Sequence, residues 1–573
     1  MILRDAIREK ISKAAEELAG TLGVPNFSVD PPAGGLKHVE HGDYATNIAL
    51  LLAKQLARPP MDIAGDLAEK LADGRWEVSV APPGFLNFRL QDAYLVESLK
   101  TIDEHWGTST FGQGKTVLVE YFQLNIAKRP HIGHVRSAVI GDALKRMFFS
   151  QGYHAVSDTH VGDWGTQFGI LLWAFEKVKE EDRYIYKEHP FENLEKLYEA
   201  ANLQILQKQE LREHGKEEFA KLEAGDKKNR KIWEWMVDVS MKKLEESALR
   251  LGLLPFDEHK GESSYEKDMS RIVEEALEKN VATHKEDGAV MVDLTKEKLD
   301  EAVLIKSDGA STYVLRDLAT ILYRKKHWKF WKNIYVVDAR QTHHFKQLFR
   351  VAELLGYEGV GESEHIEFGF MKLPEGAMST RKGTAIALDA LLDEAEKRAL
   401  SVIREKNPDL PHADSVAKMV GIGAVKYFDL SHNRKSDIVF EWGKALSFEG
   451  NTGPYLQYTH ARLKSILRKN ANKEIVKHRM FDSWLTPVEH RLVSALLRYP
   501  AEIERSLTER SPHMLAAYLY ELSSMANEFY HALPVLQEKD ESVKSFRLKL
   551  VSATAITLKN GLNLLGIEAP EEM

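Results

Sequence analysis

"TVLVEYFQLNIAKRPHIGHVRSAVIGDALKRMFF", residues 116–149, contains a strand, a loop and a helix in direct succession. Residues 116–122 are apolar and rich in β-branched side chains, which is typical of a strand buried in a parallel sheet. A helical pattern follows from about residue 133. Strand, loop and helix in this order open an α/β nucleotide-binding unit, so the stretch predicts a Rossmann-like domain.

The loop and the start of the helix carry the chemistry of this stretch. His131 and His134 are three residues apart and project to one side of the first helical turn, around Gly133, while Lys128 and Arg129 add positive charge. A helix N-terminus binds phosphate through its unpaired N–H groups and its dipole. Such a cluster suits a pentavalent phosphorus centre, where negative charge grows. A helix start with surface histidines is the alternative that spacing leaves open.

The 573 residues suggest three or four domains. Residues 1–112 predict an α+β module in which "WEVSVAPPGFLNFRL" gives two short strands, closed by a Gly-rich linker. Residues 113–385 predict the α/β domain, with a charge-rich helical insertion at about 175–285. Residues 386–450 predict a helical junction and residues 451–573 a C-terminal all-α bundle.

Further strands of the α/β domain are predicted on both sides of the helical stretch. "HAVSDTHVGDWGTQFGILLWAF" supplies the second strand, loop and helix, and strand patterns return at "GAVMVDL", "AVLIKS" and "NIYVVDA". We therefore expect an α/β core that the helical segment splits in two.

Composition excludes several classes of protein. The sequence has no cysteine, which rules out disulfides, Cys-based zinc sites and thiol nucleophiles and fits a reducing cytoplasm. A net charge of -8 gives no overall basic footprint, so any contact with nucleic acid has to be local. We find no targeting signal and no apolar run near the about 20 residues of a membrane span. A soluble, cytoplasmic protein without a membrane partner is expected.

Two motifs resemble the class I aminoacyl-tRNA synthetases. "HIGH" at 131–134 resembles their first signature, and "AMSTRKG" at 377–383 resembles the mobile second one. The stretches "NIAKRPHIGHVRSAVIGDAL", "HVGDWGTQFGIL", "KSDGASTYVLRDLAT", "EGNTGPYLQYTHAR" and "HGDYATN" are similar to the arginyl-tRNA synthetase family. The resemblance extends over nearly the whole chain.

The resemblance implies a two-step reaction. The carboxylate of L-arginine attacks the α-phosphorus of ATP and releases pyrophosphate, and a ribose hydroxyl of tRNA(Arg) then takes the arginyl group from the adenylate and releases AMP. It implies a monomer, ATP as a substrate, and Mg²⁺ held by phosphates and water with no protein-bound metal. It also implies that the first step needs bound tRNA, a form of induced fit.

The family's roles for ATP carry over to the two signatures. The resemblance assigns catalysis to His131, His134, Lys128 and Lys382. It assigns ATP binding to His131, Gly133, His134, Met378 and Ser379. A solvated loop lysine is the alternative at position 128.

The arginine pocket needs a carboxylate for the guanidinium, an aromatic wall and amide groups. Tyr313 and Asp317 lie at i and i+4 on one helical face, and the resemblance assigns both to the arginine side chain. It assigns the rest of the arginine site to Glu120, Asn125, His131 and Gln341. A core or capping tyrosine with a surface aspartate is the alternative. A site of such polar contacts rejects analogues by roughly 10⁴ or more, so no editing domain is required.

Other positions in these motifs are less defined. Asp163 and Gln167 follow a strand of the same sheet, and capping of a helix by Asp163 competes with a role in binding. The family usually has small residues and proline where this chain has 122–124, "FQL", which puts in doubt a substrate contact at position 123.

In the second signature, Ala377 and Thr380 stand where other class I enzymes carry lysines, which this family often tolerates, so we expect Lys382 or Lys372 to supply the phosphate contact instead.

For tRNA, the C-terminal helices resemble the family's anticodon-binding bundle, and the N-terminal module its tRNA-contacting domain. RNA readers stack bases on aromatic side chains, and Tyr455, Tyr458, Phe529 and Tyr530 are available, although each alone fits a core position as well.

Two other functions compete with the arginine–tRNA ligase. One is a nucleotidyltransferase or a synthetase for another amino acid, which the presence of Tyr313 and Asp317 disfavours. The other is a non-catalytic tRNA-binding protein, which the presence of His131 and His134 disfavours.

Overall fold

The computed structural model describes residues 2–32, 42–372, 386–470 and 485–573. They form two compact units. The first unit comprises Met1–Thr108, Leu400–Val420 and Leu446–Met573; the second comprises Ser109–Ala399 and Gly421–Ala445. Each unit is thus assembled from separate stretches of chain.

The N-terminal part of the first unit is the predicted α+β module. Its described residues include the helices α1 (Leu3–Ala19), α2 (Ile48–Leu56), α3 (Pro60–Leu71) and α4 (Asp92–Ser98). Strands β1 (Tyr44–Thr46), β2 (Trp76–Ala81) and β3 (Phe85–Leu90) form an antiparallel sheet in the order β1-β3-β2. The two strands expected around Pro-Pro-Gly are therefore confirmed. Their alternating pattern buries Trp76, Leu86 and Phe88 on one face.

A four-stranded parallel sheet organises the second unit. Its strands are β4 (Thr116–Glu120), β5 (His154–Asp158), β9 (Lys332–Asp338) and β10 (Ser363–Phe368), in the order β10-β9-β4-β5. The chain moves from β4 to one neighbour, β5, and later returns to the other, β9. This reversal creates a switch point at the carboxyl ends of β4 and β9, where open α/β sheets bind ligands.

Helices follow the strands as the sequence predicts. Helix α5 (Ile132–Ser150) connects β4 to β5, and α6 (Thr166–Glu176) follows β5. The charge-rich stretch is helical, as expected: α7 (Ile185–Glu188), α8 (Pro190–Gln207), α9 (Leu211–Glu223), α10 (Lys227–Arg250) and α11 (Glu266–Glu278). Helices α12 (Tyr313–Trp328) and α13 (Thr342–Leu355) flank β9.

Two of the expected core strands belong to a separate sheet. Strands β6 (Thr283–His284), β7 (Val290–Val292) and β8 (Ala302–Ile305) pair antiparallel with one another, so "GAVMVDL" and "AVLIKS" do not extend the parallel sheet as predicted. The reason is local: each strand pairs with a neighbour in sequence, across connections of five residues (285–289) and nine residues (293–301). Their apolar faces pack into a core cluster with residues of α11, α12 and α13.

The remaining elements are mostly helical. Strands β11 (Met371–Lys372) and β12 (Ile438–Val439) pair in parallel. Strand β12 lies within residues 386–450, which were expected to be helical. The helices are α14 (Leu388–Lys406), α15 (Ala413–Leu430), α16 (Trp442–Ala445), α17 (Gly453–Asn470), α18 (Pro487–Thr508), α19 (Pro512–Ala532) and α20 (Glu541–Leu564). The C-terminal bundle is thus confirmed in the first unit. No described helix has the length and apolar character to cross a membrane.

A buried ion pair fixes α5 within the second unit. The Arg136 guanidinium lies 2.9 Å from the Asp429 carboxylate, and both side chains are 1% exposed. Arg136 also donates to the carbonyl oxygens of Ser436 at 2.7 Å and Arg434 at 3.3 Å. Because α5 starts at the "HIGH" motif, this pair sets the position of that motif.

Removing one member of the pair should destabilise the protein strongly. In Arg136→Met the Asp429 charge stays buried without its partner, so we expect the free energy of unfolding to fall by about 3–5 kcal/mol. Urea unfolding followed by tryptophan fluorescence measures the change. The control is Lys242→Met, because Lys242 belongs to an exposed pair with Asp238 and should leave the transition unchanged. Adding Asp429→Leu to Arg136→Met should recover stability; no recovery would contradict the electrostatic explanation.

Candidate active site

The two histidines of the first motif cap the helix that they begin. His131 is the N-cap of α5, and its Nδ1 accepts a hydrogen bond from the backbone N–H of Gly133 at 3.0 Å. The backbone N–H of His131 in turn donates to Nδ1 of His134 at 3.1 Å. The ring centroids are 3.9 Å apart. Both Nδ1 atoms are therefore acceptors, which leaves the Nε2 atom of each neutral ring to carry the proton.

Both rings are held neutral. Burial and the nearby charges of Lys128 and Arg340 lower the pKa of His131 to about 4. Burial, and after it His131 and Lys128, lowers the pKa of His134 to about 3. At physiological pH the pair thus offers two Nε2–H donors with no net charge of its own.

Gly133 allows the histidine cap to close. A Cβ atom at this position would lie 2.8 Å from Cε1 of His131. The space that a side chain would fill is occupied by the imidazole of His131, so the motif needs glycine to bring the two rings together.

Helices α8 and α10 hold the loop before α5. The backbone N–H of Ala127, which has φ +55°, donates to Ser240 Oγ at 3.0 Å. The Arg129 guanidinium pairs with Glu195 at 2.9 Å. Lys128 is partly buried, and its Nζ lies 5.2 Å from the centre of the Tyr198 ring. These contacts argue against a freely solvated lysine at position 128.

The chain that follows the second motif pairs with the first motif. The backbone N–H of Ile132 donates to the carbonyl of Ile386 at 3.1 Å, and that of Leu388 donates to the carbonyl of Pro130 at 2.9 Å. Of the alternative lysines, Lys372 pairs with Asp437 at 2.7 Å. The other positions singled out in that motif lie outside the described residues: Ala377, Met378, Ser379, Thr380 and Lys382.

At the carboxyl ends of β4 and β5, one arginine binds two carboxylates. The Arg324 guanidinium of α12 lies 2.6 Å from Glu120 and 2.7 Å from Asp158, and all three side chains are at most 5% exposed. Burial raises the pKa of Asp158, but the charges of Arg324 and His160 and the hydrogen bonds from both residues together outweigh burial, so the net direction is downward. Glu120, which was predicted to bind the substrate, is thus already paired with Arg324, a cation that it shares with Asp158.

The "FQL" departure forms part of this network. Gln123 donates from Nε2 to Glu120 at 3.0 Å and accepts from Ser137 Oγ at 3.2 Å. The Phe122 N–H, where the backbone has φ +59°, donates to Ser137 Oγ at 3.0 Å. Gln123 therefore braces Glu120 against α5, which gives position 123 an internal role.

The two predicted amide ligands, Asn125 and Gln341, are exposed at the same edge of the sheet. Asn125 follows β4 and forms a bridge to Gly162, whose Cβ, if present, would lie 2.3 Å from Asn125 Oδ1. Glycine at 162 is thus needed for Asn125 to lie there. Gln341 follows β9 and precedes α13. Both are accessible to a ligand at the switch point.

Tyr313 and Asp317 occupy the first turns of α12 in contrasting environments. Tyr313 is 65% exposed, whereas the Asp317 side chain is 16% exposed. The Asp317 carboxylate accepts from His344 Nε2 at 2.6 Å and lies 3.3 Å from His160 Nε2. Burial alone would raise the pKa of Asp317, but the two histidines lower it below its usual range. A core tyrosine with a surface aspartate does not describe this pair.

Asp163 and Gln167 have structural contacts. Asp163 accepts from the backbone N–H of Ser263 at 2.9 Å and from its Oγ at 2.6 Å. Helix α6 begins with Gly165 as its N-cap, so Asp163 does not cap it. Gln167 donates to the Gly162 carbonyl at 3.4 Å.

The sequence interpretation missed four residues of this site: His160, Arg324, His344 and Arg340. His160 and Arg340 follow strand ends, β5 and β9, which is a signal that could have identified them. Arg324 and His344 lie inside helices, and nothing in their local sequence indicates what they contact.

The aromatic residues considered for tRNA differ in exposure within the first unit. Phe529 is 1% exposed and belongs to the core, whereas Tyr530 is 40% exposed. The Arg462 guanidinium lies 4.9 Å from the Tyr458 ring centre and 5.3 Å from that of Tyr530. Tyr455 accepts a hydrogen bond from Asn527 at 3.0 Å.

A parallel sheet with a switch point, followed by a histidine-capped helix, is the arrangement of a class I aminoacyl-tRNA synthetase. Residues 97–442 match the family model "tRNA synthetases class I (R), catalytic domain". Residues 2–90 match "Arginyl tRNA synthetase N terminal domain", and residues 456–573 match "DALR anticodon binding domain". The chain belongs to the arginyl-tRNA synthetase family.

Individual relatives are similar to this chain over most or all of its length. The arginine–tRNA ligase of Lactococcus lactis is 38% identical, with 99% of this chain and all of that protein covered. That of Fusobacterium nucleatum is 38% identical over 93% of each chain. The solved structure of Thermus thermophilus arginyl-tRNA synthetase matches with a TM-score of 0.82 and 28% identity, covering all of both chains.

The neutral histidine pair can be observed directly. With ¹³C-labelled histidine, the ring signals of His131 and His134 should not titrate between pH 5.5 and 8.5, because their pKa values lie near 4 and 3. His131→Asn and His134→Asn identify the two signals among the 22 histidines. Titration of either signal with a midpoint near 6.5 would contradict the proposed protonation state.

Proposed function

We infer that this enzyme joins L-arginine to tRNA(Arg) in an ATP-dependent reaction that passes through arginyl-adenylate and releases pyrophosphate and AMP. The observation that carries the inference is the joint position of two chemistries at one edge of the parallel sheet. A neutral histidine pair begins the helix after β4, and a shielded carboxylate, Asp317, lies beside the residue that follows β5. The first suits a phosphate and the second a guanidinium.

In the first step, a carboxylate oxygen of arginine forms a bond to the α-phosphorus, and the bond from that phosphorus to the pyrophosphate oxygen breaks. Negative charge grows on the phosphoryl oxygens. The Nε2–H donors of His131 and His134 and the positive end of the α5 helix dipole stabilise that charge. No protein nucleophile takes part, so catalysis consists of positioning and charge stabilisation.

ATP occupies the start of α5 in this proposal. His131, Gly133 and His134 contact it, Lys128 approaches its phosphates, and Met378, Ser379 and Lys382 keep their predicted roles. Mg²⁺ enters as the ATP chelate. The described residues contain no group of three or more potential metal-ligating side chains, and phosphate and water oxygens suit this hard cation.

The arginine side chain binds between Tyr313 and Asp317. A guanidinium pairs well with a carboxylate and packs against an aromatic face. Asn125, Gln341 and His131 orient the α-amino and carboxylate end. Glu120 contributes charge to this end through the network that it shares with Arg324 and Gln123.

In the second step, a terminal ribose hydroxyl of tRNA attacks the arginyl carbonyl and AMP leaves. Residues 451–573 bind the anticodon region, and residues 1–112 contact another part of the tRNA. Residues 113–385 form the catalytic domain, with its insertion at 175–285, and residues 386–450 form the junction. Arg462, Tyr458 and Tyr530 form the stacking surface. A monomeric, cytoplasmic enzyme completes the proposal, and the absence of cysteine fits that compartment.

Pyrophosphate exchange into ATP, measured with arginine and with or without tRNA(Arg), tests the function together with a direct charging assay. We expect charging, and exchange that depends on tRNA.

Asp317→Asn should raise KM for arginine by at least about 100-fold with a smaller change in kcat, because the shielded charge pair between Asp317 and the guanidinium is lost.

Asp300→Asn is the matched control, since the Asp300 side chain is 90% exposed. Exchange without tRNA would keep the ligase but discard the gating by tRNA. A folded protein that shows neither charging nor exchange would contradict the proposed function.

Two substitutions of His131 separate its role as the N-cap of α5 from its role as a hydrogen-bond donor to the substrate. Asparagine is a good N-cap, so His131→Asn should keep α5 capped while losing the Nε2–H, and kcat should fall by about 10²–10³-fold at an unchanged thermal midpoint. His131→Ala loses the cap as well and should also unfold at a lower temperature. Exchange kinetics and thermal scans give the two readouts, with exposed His284→Asn as control. Wild-type kcat in His131→Asn would mean that the ring only caps the helix.

A further inference from the structure

Two histidines contact the two oxygens of Asp317, the carboxylate to which the proposed function assigns the arginine side chain. His344 Nε2 donates to Oδ2 at 2.6 Å, and His160 Nε2 lies 3.3 Å from Oδ1. The side chains of His160, Asp317 and His344 are 10%, 16% and 19% exposed. Each carboxylate oxygen therefore already has one histidine partner, and an arriving guanidinium either shares an oxygen with a histidine or displaces it.

His160 is the partner that can give way. Its contact to Asp317 is 0.7 Å longer than that of His344, from 3.3 and 2.6 Å. Its backbone is in the left-handed region, with φ +41°, and the backbone N–H donates to Asp158 Oδ1 at 3.2 Å. Within the described ranges, its Nδ1 is buried without a hydrogen-bond partner. The backbone is thus anchored at Asp158, while the ring depends on Asp317.

Carboxylates outnumber cations around this histidine. Groups from β4, β5 and the loop after it, the 3₁₀ turn at 262–265, α12 and β9 face it or Asp317: Glu120, Asp158, Asp163, Glu262, Tyr265, Tyr313, Arg324 and Tyr335. Burial lowers the pKa of His160, and Arg324 acts in the same direction. Glu120 and Asp317 outweigh both and raise it to about 9. The ring is therefore an imidazolium at neutral pH.

We propose that His160 and His344 are positioning residues of the arginine pocket, in which the guanidinium takes Oδ1 of Asp317 from His160 while His344 keeps Oδ2 in place. His160 releases its proton to solvent as arginine binds, so one bound cation replaces another. The inference rests on the proposed function, because that function assigns Asp317 to the guanidinium.

The sign of the pH dependence follows from this exchange. A like charge within about 4–6 Å disfavours a protonated imidazole, so the pKa of His160 is lower in the arginine complex than in the free site. Protons then compete with arginine at every pH between the two values. The Kd for arginine should fall as pH rises, by up to about tenfold per pH unit, and level off above pH 9.

Calorimetry on the full chain measures both quantities. L-Arginine is titrated into the enzyme at pH 7.5 in phosphate and in Tris, whose heats of ionisation differ, with and without tRNA(Arg). The difference between the buffers gives the number of protons released, for which we expect close to one. Repeating the titration from pH 6.5 to 8.0 gives the dependence of Kd on pH.

Three variants separate this role from a structural one. His160→Asn should bind arginine with no proton release and a Kd independent of pH. His344→Gln, whose amide nitrogen can replace Nε2, should keep wild-type behaviour better than His344→Ala, which should raise KM more than it lowers kcat. His343→Gln is the matched control on the same helix, since His343 is 51% exposed, and it should release the same proton as the wild type.

The outcomes distinguish the inference from the function on which it rests. No arginine binding in either tRNA state would overturn the proposed function and the inference with it. Binding that Asp317→Asn abolishes, but that releases no proton and does not change with pH, would overturn the inference alone. An unchanged proton release in His160→Asn would assign the proton to another group and would also overturn it.

Discussion

The Arg324 guanidinium between Glu120 and Asp158 is the interaction on which the site depends. These two carboxylates end adjacent parallel strands in register, so the sheet itself brings like charges together in a buried place. Without a cation between them, the arrangement would cost several kcal/mol. Because the cation comes from α12, the interaction also fixes that helix against the carboxyl edge of the sheet.

Once α12 is fixed, its first turns are placed as well. Asp317 lies seven residues, about two turns, before Arg324 on the same helix, so it meets His160 just beyond the end of β5. Gln123 and Ser137 extend the network towards α5. The residues proposed to read the arginine side chain and the helix proposed to hold ATP are thus connected through Glu120.

Local patterns predicted a large part of this arrangement. The β4–loop–α5 unit, the helical stretch and the C-terminal bundle follow from periodicity, and His131, His134 and Asp317 follow from motifs. Contacts between distant residues did not: Asp317 is 157 residues from His160, and the Arg324 pairs join three separate elements. Strands β7 and β8 were placed in the wrong sheet because an apolar pattern indicates that a strand is buried but does not identify its partner strand. The contacts of Gln123 could not be predicted either, since they depend on the Ser137 hydroxyl, six residues beyond the cap of α5.

The histidines of the site show how environment gives one residue type opposite charges. Lys128 lies near both His131 and His134, and Arg340 lies near His131. Burial acts in the same direction as these cations, so the rings are neutral donors beside a region where phosphate is expected. His160 is also buried, but Glu120 and Asp317 reverse the effect of burial. Both ends therefore complement the ligands proposed for them: the histidine pair offers donors to an anion without holding it as a fixed ion pair, and the carboxylate end carries a cation that the proposed guanidinium would replace. Burial alone would have neutralised all three rings, so it is the placement of Glu120 at the end of β4 and of Asp317 on α12 that divides the site into these two halves.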